Sequence, residues 1–355
     1  MNSRRLRAST CLPSRVAAED LARWKGWLAD SPCAFLSPSF AQAVEGARGG
    51  VRVCLIYEGS ELAAVFPYQF IEGLSGRVGG AERVGGHLSD ACGVVARPGF
   101  RIAPGALVTL AGIAGFEFSH LPASQLAFGL DGERPEVAHR IELPLGGRQY
   151  WADLAARDKK FTSDTDRRVR KLVNEIGPLT LRLHDGSSAA LDHLVARKRE
   201  RYRITGVADA LGADWTRRLL AGLAPSAEDD CRGLCSTLHA GDTWVASHFG
   251  LLAYGTLHYW FPVYNDDLHR YAPGRQLMRA LFDADDQSTV RVIDRGAGDT
   301  QAKRDFSNAT YPLYRGLWLR RGARGLAFRA ALALRWRLER HQTAQPPAES
   351  GTSDV

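Results

Sequence analysis

Residues 254–306 read YGTLHYWFPVYNDDLHRYAPGRQLMRALFDADDQSTVRVIDRGAGDTQAKRDF. Gly255 to Tyr264 has the two-residue alternation of a strand, with Leu257, Tyr259, Phe261 and Val263 on one side and His258 and Trp260 on the other. Pro262 has no N–H for a ladder, which fits an edge, a bulge or a place where neighbouring strands part. A polar loop follows. A helix then opens at Pro273-Gly274, where proline suits the first helical position and Leu277, Met278, Leu281 and Phe282 form one apolar face. Thr289 to Ile293 reads as a second strand, ending in the polar cluster Asp294-Arg295-Gly296-Ala297-Gly298-Asp299, with Lys303 and Asp305 on a short helix beyond. A strand, a glycine turn and a bare helix start together make an anion site for phosphate or pyrophosphate. An ordinary helix start with a Pro-Gly turn gives the same signature.

The chain has 355 residues, 45% apolar and 24% charged, the balance of a soluble globular protein long enough for two domains. Its net charge of +7 favours anionic partners: a phosphorylated cofactor, an acidic polymer or a membrane surface. No motif for reading DNA or RNA is present, and the aromatic residues sit in core-like strands. Six scattered cysteines form no C-x-x-C pair and no zinc framework, and read as buried thiols in a reducing cytosol. Arg4, Arg5 and Arg7 precede no apolar segment of a secretory signal, and no apolar run is long enough to span a bilayer.

Taken in order, residues 1–14 read as disordered. Two helices and two strands follow, then the glycine-rich Gly73 to Gly86, which does not match a P-loop, a weak helix and two short strands. Pro144 to Gly147 makes a boundary. Tyr150 to Ile176 is a basic helix or helix pair carrying Arg167, Arg168, Arg170 and Lys171, either a solvated face or the border of an anionic substrate. The second half then runs β-α-α-β-β-β-α-β-α-β, and the first half gives a blurred version of that order, as a structural duplication would. Leu326 to Arg340 is a basic helix, packed on the protein or lying on a membrane surface.

The second-half order resembles the Gcn5-related N-acetyltransferase (GNAT) fold. In that fold a meander ends in a bulged strand, the next helix start holds the cofactor pyrophosphate, and the next strand splays to admit the pantetheine arm. Tyr271-Ala272-Pro273-Gly274-Arg275-Gln276-Leu277, with Ile293 to Asp299 and Lys303-Arg304, is similar to the CelD/BcsL-like acyltransferases of cellulose and exopolysaccharide synthesis. Those in turn resemble the Fem-type aminoacyl transferases, which carry two such domains. The layout covers residues 15–320 and the specific residues about 240–306. The single glycine between Tyr271 and Gln276 departs from the usual Q/R-x-x-G-x-G/A loop, and the first half shows no counterpart of Pro273-Gly274.

The resemblance implies an α/β protein of two tandem GNAT-like domains, each a mixed, mostly antiparallel sheet flanked by helices. The expected units are a disordered 1–14, a first domain without a cofactor loop at 15–147, a basic helical connector at 148–176, a second domain with the acyl-CoA site at 177–325, and a basic helix with a disordered tail at 326–355. Acyl transfer requires alignment, removal of a proton from the acceptor and stabilisation of an oxyanion. Candidate bases are Asp294 and His248. Tyr271, Pro273, Gly274, Arg275 and Gln276 are expected to bind the cofactor, and Arg295, Asp299 and Lys303 the substrate. A solvent- or core-facing histidine, and a cap or a salt bridge from Asp294 to Arg295 or Lys303, are the plainer alternatives. Acyl-CoA, with acetyl-CoA the simplest donor, is the expected co-substrate, with no metal. The acceptor is a sugar, a polysaccharide precursor or an amine, with a polysaccharide-synthesis machinery as partner and a place in the cytoplasm or on the inner face of the membrane. Charged tRNA as donor, and a non-catalytic partner of a synthesis complex, are the competing readings.

Overall fold

A computed structural model describes residues 6–284 and 289–344. The first half comprises β1 (Leu6–Cys11), α1 (Ala18–Ala29), α2 (Pro38–Ala47), β2 (Val51–Glu58), β3 (Glu61–Phe70), α3 (Leu74–Arg77), β4 (Gly80–Glu82), β5 (Val95–Ala96), α4 (Pro104–Leu110), β6 (Gly115–Pro122) and β7 (Glu133–Glu142). The second comprises α5 (Gly147–Arg157), α6 (Lys159–Glu175), β8 (Leu179–Arg182), α7 (Ser188–Thr205), α8 (Asp214–Leu223), β9 (Arg232–Ala240), β10 (Thr243–Ala253), β11 (Thr256–Tyr264), α9 (Pro273–Asp283), β12 (Val292–Ala297), α10 (Gln301–Phe306), β13 (Ala309–Leu319) and α11 (Ala323–Ala344).

All strands share one sheet, ordered β1-β2-β3-β4-β6-β13-β7-β12-β11-β10-β9-β8, with β5 beside β3. The order is a palindrome: β1 answers β8, β2 answers β9, β3 answers β10, β4 answers β11, and β6 answers β12. The two parallel pairs, β4 with β6 and β11 with β12, fall at matching places. The duplication expected from the element order is therefore present in the topology. The separation is not, because each half ends in a strand that crosses over. β7 bonds to β12 and β13, and β13 bonds to β6 and β7. Pro144 to Gly147 is only the turn after β7.

The helices between each half's first two strands cover one face as a single core, in which Trp24, Phe40 and Val44 meet Leu194, Leu219, Phe249 and Phe261. Polar ties cross the same seam: Lys25 to the buried Asp230 at 3.0 Å, Arg218 to the Ala47 carbonyl, and the Trp260 indole to the Leu88 carbonyl. On the other face α4 covers the first half through Leu107 and Val108. The second half is covered by α5, α6 and α9 through Trp151, Leu172, Leu277 and Phe282. The basic connector is thus part of the second half's core, burying Phe161 and Leu172 under its charged side.

Three expectations are corrected. Leu6–Cys11 is a strand, paired along its length with β2 and packed on the cores only through the partly buried Leu6, Ala8 and Cys11. Polar, half-exposed residues conceal such an edge from sequence patterning. Second, the first half does have a counterpart of Pro273-Gly274, since Ala103-Pro104-Gly105 opens α4 as Ala272-Pro273-Gly274 opens α9. The two starts differ in backbone. Ala103 is extended (φ −77°), whereas Ala272 is left-handed (φ 53°). Third, β12 extends to Ala297, so Asp294 and Arg295 lie within the strand. The last helix, α11, packs on the first half through Phe328 and Leu332 against Ile71 and Ala114. The expected tail beyond 344 lies outside the described residues.

Phe328 seats over Gly80 and Gly115. A Cβ at Gly80 would fall onto the Phe328 ring and 2.7 Å from the Ser75 carbonyl oxygen. Gly80→Ala should therefore cost about 1–3 kcal/mol. Gly26, exposed in α1 with nothing near its Cβ position, should gain about 0.5–1 kcal/mol as alanine. Urea unfolding of both variants checks the pair. Equal behaviour would mean that α11 is not seated on the sheet.

Candidate functional site

β11 and β12 pair in parallel only over Thr256–His258 and Val292–Asp294, then part. The irregularity that accompanies the parting is a bulge at Tyr259-Trp260 opposite Gly250, not at Pro262, which pairs in register with His248. Gly250 allows the kink, because a Cβ there would sit 2.6 Å from the His258 carbonyl oxygen and 2.9 Å from His248 Nε2. Pro262 lies in the stretch with no β12 partner, where its missing N–H is harmless.

At the mouth of α9, Gly274 is open: its nearest neighbour to a Cβ would be Tyr264 at 4.0 Å. Pro273 has no N–H, and the Arg275 and Gln276 amides both donate to the Ala272 carbonyl, at 2.8 and 3.2 Å. The Gly274 amide is then the remaining donor of the first turn, a narrower anion site than the sequence suggests. Tyr271 is buried behind the loop, its hydroxyl donating to Glu175 at 2.5 Å. Arg275 stacks on Phe161 and reaches Asp164 and Asp305 at 3.5 and 3.6 Å. Gln276 donates to the Tyr271 carbonyl and keeps a buried Oε1 with no partner among the described residues. Arg168 of α6 donates to the Arg270 carbonyl, so the basic helix borders this mouth.

The two faces of β12 carry different chemistry because side chains alternate along a strand. On the α9 face, Arg295 lies over the rings of Tyr259 and Phe306, donates to the Ala302 carbonyl at 2.7 Å, and buries an Nε with no partner among the described residues. His248 is fully buried and stacked on Tyr259 at 4.4 Å, and neither ring nitrogen has a hydrogen bond with the described residues. Burial pushes its pKa down to about 3. These buried polar atoms, and the Arg295 side chain reaching from β12 to the Tyr259 ring of β11, lie on the α9 face beside the point where the two strands part.

On the opposite face, a cavity of about 230 Å³ lies between the halves. Asp294 faces it, accepting from the Tyr311 hydroxyl at 2.6 Å and the Gly296 amide at 2.9 Å. Arg140 of β7 stacks on Tyr311 and stands 3.6 Å from Asp294. His258, the register partner of Asp294, accepts from the Ala34 amide at Nε2, which leaves its ring proton on Nδ1. Asp90 also lines the cavity, and burial, then Asp294, push its pKa up to about 6.

The structure therefore separates the two candidate bases: Asp294 is in the cavity and His248 is on the far face with Arg295. Asp294 does not pair with Arg295 or Lys303. Lys303 donates to the Gly296 and Ala297 carbonyls, and Asp299 meets Arg304 at 2.8 Å and His139 at 3.0 Å. These contacts brace the turn after β12. Asp90, Arg140, His258 and Tyr311 were not anticipated. Only His258 left a signal, since alternation along β11 set it apart from the core-facing residues.

Residues 159–304 match the model of the acetyltransferase (GNAT) domain. Among solved structures, FemX aligns over 87% of this chain and 96% of its own, at 8% identity and a TM-score of 0.58. A protein described as the C-terminal domain (DUF2156) of a lysylphosphatidylglycerol synthetase from Agrobacterium fabrum aligns over 89% and 97%, at 14% identity and a TM-score of 0.52. A tandem GNAT protein of the clavulanic acid pathway aligns over 88% and 98%, at 11% and a TM-score of 0.48. A comparison with curated proteins gives no match. The fold is GNAT-like, a mixed sheet flanked by helices in two repeats. Nothing in these comparisons singles out the CelD/BcsL-like proteins.

A buried neutral histidine leaves a pH signature. Its unfolded pKa is near 6.5 and its folded value is about 3, so its stabilising contribution is complete above pH 6.5 and is lost as pH falls towards 3. Between pH 7 and 5 this amounts to about 2 kcal/mol. Urea unfolding at the two pH values should show that slope reduced by this amount in His248→Leu. An unchanged slope would place His248 in contact with water.

Proposed function

We propose that this chain is a GNAT-type acyltransferase that takes its acyl donor at the α9 mouth and the β11–β12 opening, and its acceptor in the cavity beside Asp294. The observation that carries this reading is the parting of β11 and β12 immediately beyond His258 and Asp294. It sets a gap for a thin thioester arm on one face and an acid on the other face of the same strand, with main-chain amides between them to stabilise an oxyanion. The donor is acyl-CoA, most simply acetyl-CoA, with its diphosphate at Gly274 and near Arg275. Asp294 orients or deprotonates the acceptor, a sugar, polysaccharide precursor or amine. The resemblance to the CelD/BcsL-like enzymes supports a setting in exopolysaccharide synthesis. No helix among the described residues is long and apolar enough to cross a membrane. The exposed Leu326, Leu334 and Leu338 of α11 suit a peripheral place at the inner membrane.

One observation favours a second reading. The Arg295 side chain reaches from β12 to the Tyr259 ring of β11, beside the opening that pantetheine would thread, which suits a donor presented from outside, such as the aminoacyl-tRNA implied by the Fem-type resemblance.

Native mass spectrometry for co-purifying CoA, followed by calorimetry with acetyl-CoA, separates the two. Gly274→Val should weaken acetyl-CoA binding at least tenfold with little change in Tm, because the Cβ position is open. Asp294→Asn should bind acetyl-CoA normally and lose turnover on the order of 10²-fold. No acetyl-CoA binding below millimolar, together with transfer from charged tRNA, would replace the first reading with the second.

A further inference from the structure

We propose that Asp90, supplied by the first half, takes the proton from the acceptor, and that the acceptor is a primary amine on a small apolar body. The assignment of a reaction rests on the acyltransferase reading; the assignment of the ligand rests on the cavity.

The cavity is walled largely by apolar side chains, among them Trp27, Leu36, Val94, Phe128 and Leu313. Of the uncharged polar side chains, Gln125 already exchanges two hydrogen bonds with the Val94 backbone, the Tyr311 hydroxyl donates to Asp294 and His258 Nε2 accepts from Ala34, which leaves Ser31 and Ser124. A sugar would bring several hydroxyls against these walls, each costly to bury without a partner. The charged groups are few, and two of them are carboxylates, an arrangement that suits an ammonium group.

The two carboxylates are not equivalent. Asp294 is held by Tyr311, the Gly296 amide and Arg140. Asp90 makes no hydrogen bond or ion pair with the described residues, so its carboxylate is free to receive a proton. Its place is set by Gly296: a Cβ there would lie 3.3 Å from Asp90 Oδ2, so the bare glycine lets the carboxylate come up against β12 at the point where β11 has just parted from it. An amine nitrogen between Asp90 and Asp294 therefore stands beside the opening assigned to the donor. The charged groups that act on Asp90 are Asp294, which raises its proton affinity along with burial, and Arg83 and Lys303, which lower it. Arg140 and His258 also face the cavity. With its pKa near 6, Asp90 is mostly ionised at pH 7 yet accepts a proton readily.

The step balances. The ammonium gives one proton to Asp90. The neutral nitrogen attacks the acyl carbonyl, the C–N bond forms, and the bond to the leaving sulfur breaks. The leaving thiolate takes the second proton from nitrogen, and Asp90 releases its own to water.

Calorimetry of the full chain with 3-methylbutylamine, in two buffers of different ionisation enthalpy and with no acyl donor, tests the site. At pH 6 binding should release about half a proton, because an ammonium beside Asp90 lowers its pKa. Asp90→Asn should weaken binding at least tenfold and abolish the release. Asp90→Glu should retain the release, and glucosamine should bind at least tenfold more weakly. Unfolding at pH 7 shows that Asp90→Asn is folded, since removing a carboxylate with a raised pKa should not lower its Tm. Glucosamine binding as well as the alkylamine would overturn the ligand class. Alkylamine binding and proton release unchanged in Asp90→Asn would overturn the role of Asp90. In the presence of acetyl-CoA, wild-type kcat/KM should level off above pH 6, whereas the variant, with no base to take the ammonium proton, should be slower at pH 7 and keep rising with pH. If no acyl donor is turned over while the donor-free results hold, the acyltransferase reading fails and the amine site stands.

Discussion

The structure depends on the pairing needs of two terminal strands. β7 closes the first half in sequence, yet its backbone is satisfied only by β12 and β13; β13 closes the second half and lies between β6 and β7. A buried backbone group without a partner costs as much as a lost hydrogen bond, so neither strand can leave without exposing two ladders. The halves are thus joined through the middle of one sheet. The shared core of Trp24, Phe40, Leu194 and Leu219 and the Lys25–Asp230 pair then close one face over the join.

The exchange also assembles the cavity. Asp294 belongs to β12, Arg140 to β7 and Tyr311 to β13; they meet because the crossing places β7 next to both other strands. Register fixes the detail. Asp294 stands opposite Arg140, and Ala309 opposite Arg140 on the other side, which brings Tyr311 two residues along within 2.6 Å of the carboxylate. A one-residue slip of β12 would turn Asp294 to the α9 face and Arg295 into the cavity. The acid is therefore held by the same backbone bonds that hold the fold.

What the sequence made legible was local. The apolar face of α9, the proline at its first position and the meander before it could be read because period and turn chemistry act within a few residues. Asp294 stood out within a polar cluster. The strand exchange was not legible, since partners such as Arg140 and Asp294 are distant in the chain and no local pattern encodes their pairing. β1 was hidden because an edge strand needs few apolar side chains. The length of β12 was underestimated because Asp-Arg-Gly reads as loop, although here each polar side chain has a reason to be buried: Asp294 has its donors and Arg295 its two rings. Ala103-Pro104-Gly105 was passed over because its short helix looked weak; only the palindrome of the sheet reveals it as the mate of Ala272-Pro273-Gly274.

Arg295 bears on how firmly β12 is tied to β11 beyond the last paired residues. Its guanidinium lies 5.8 Å from the centres of the Tyr259 and Phe306 rings and makes one hydrogen bond to a carbonyl. Each cation–π contact contributes about 0.5–2 kcal/mol and a hydrogen bond from a charged donor about 1.5–3. Against this stand the burial of the cation, which lowers its proton affinity, and an Nε with no partner among the described residues. The net hold is then a few kcal/mol at most. A ligand that supplied an acceptor for Arg295 would replace what it displaces, so under the proposed acyltransferase reading the residue that reaches across to β11 here would also offer the acyl carrier a charged hydrogen-bond donor.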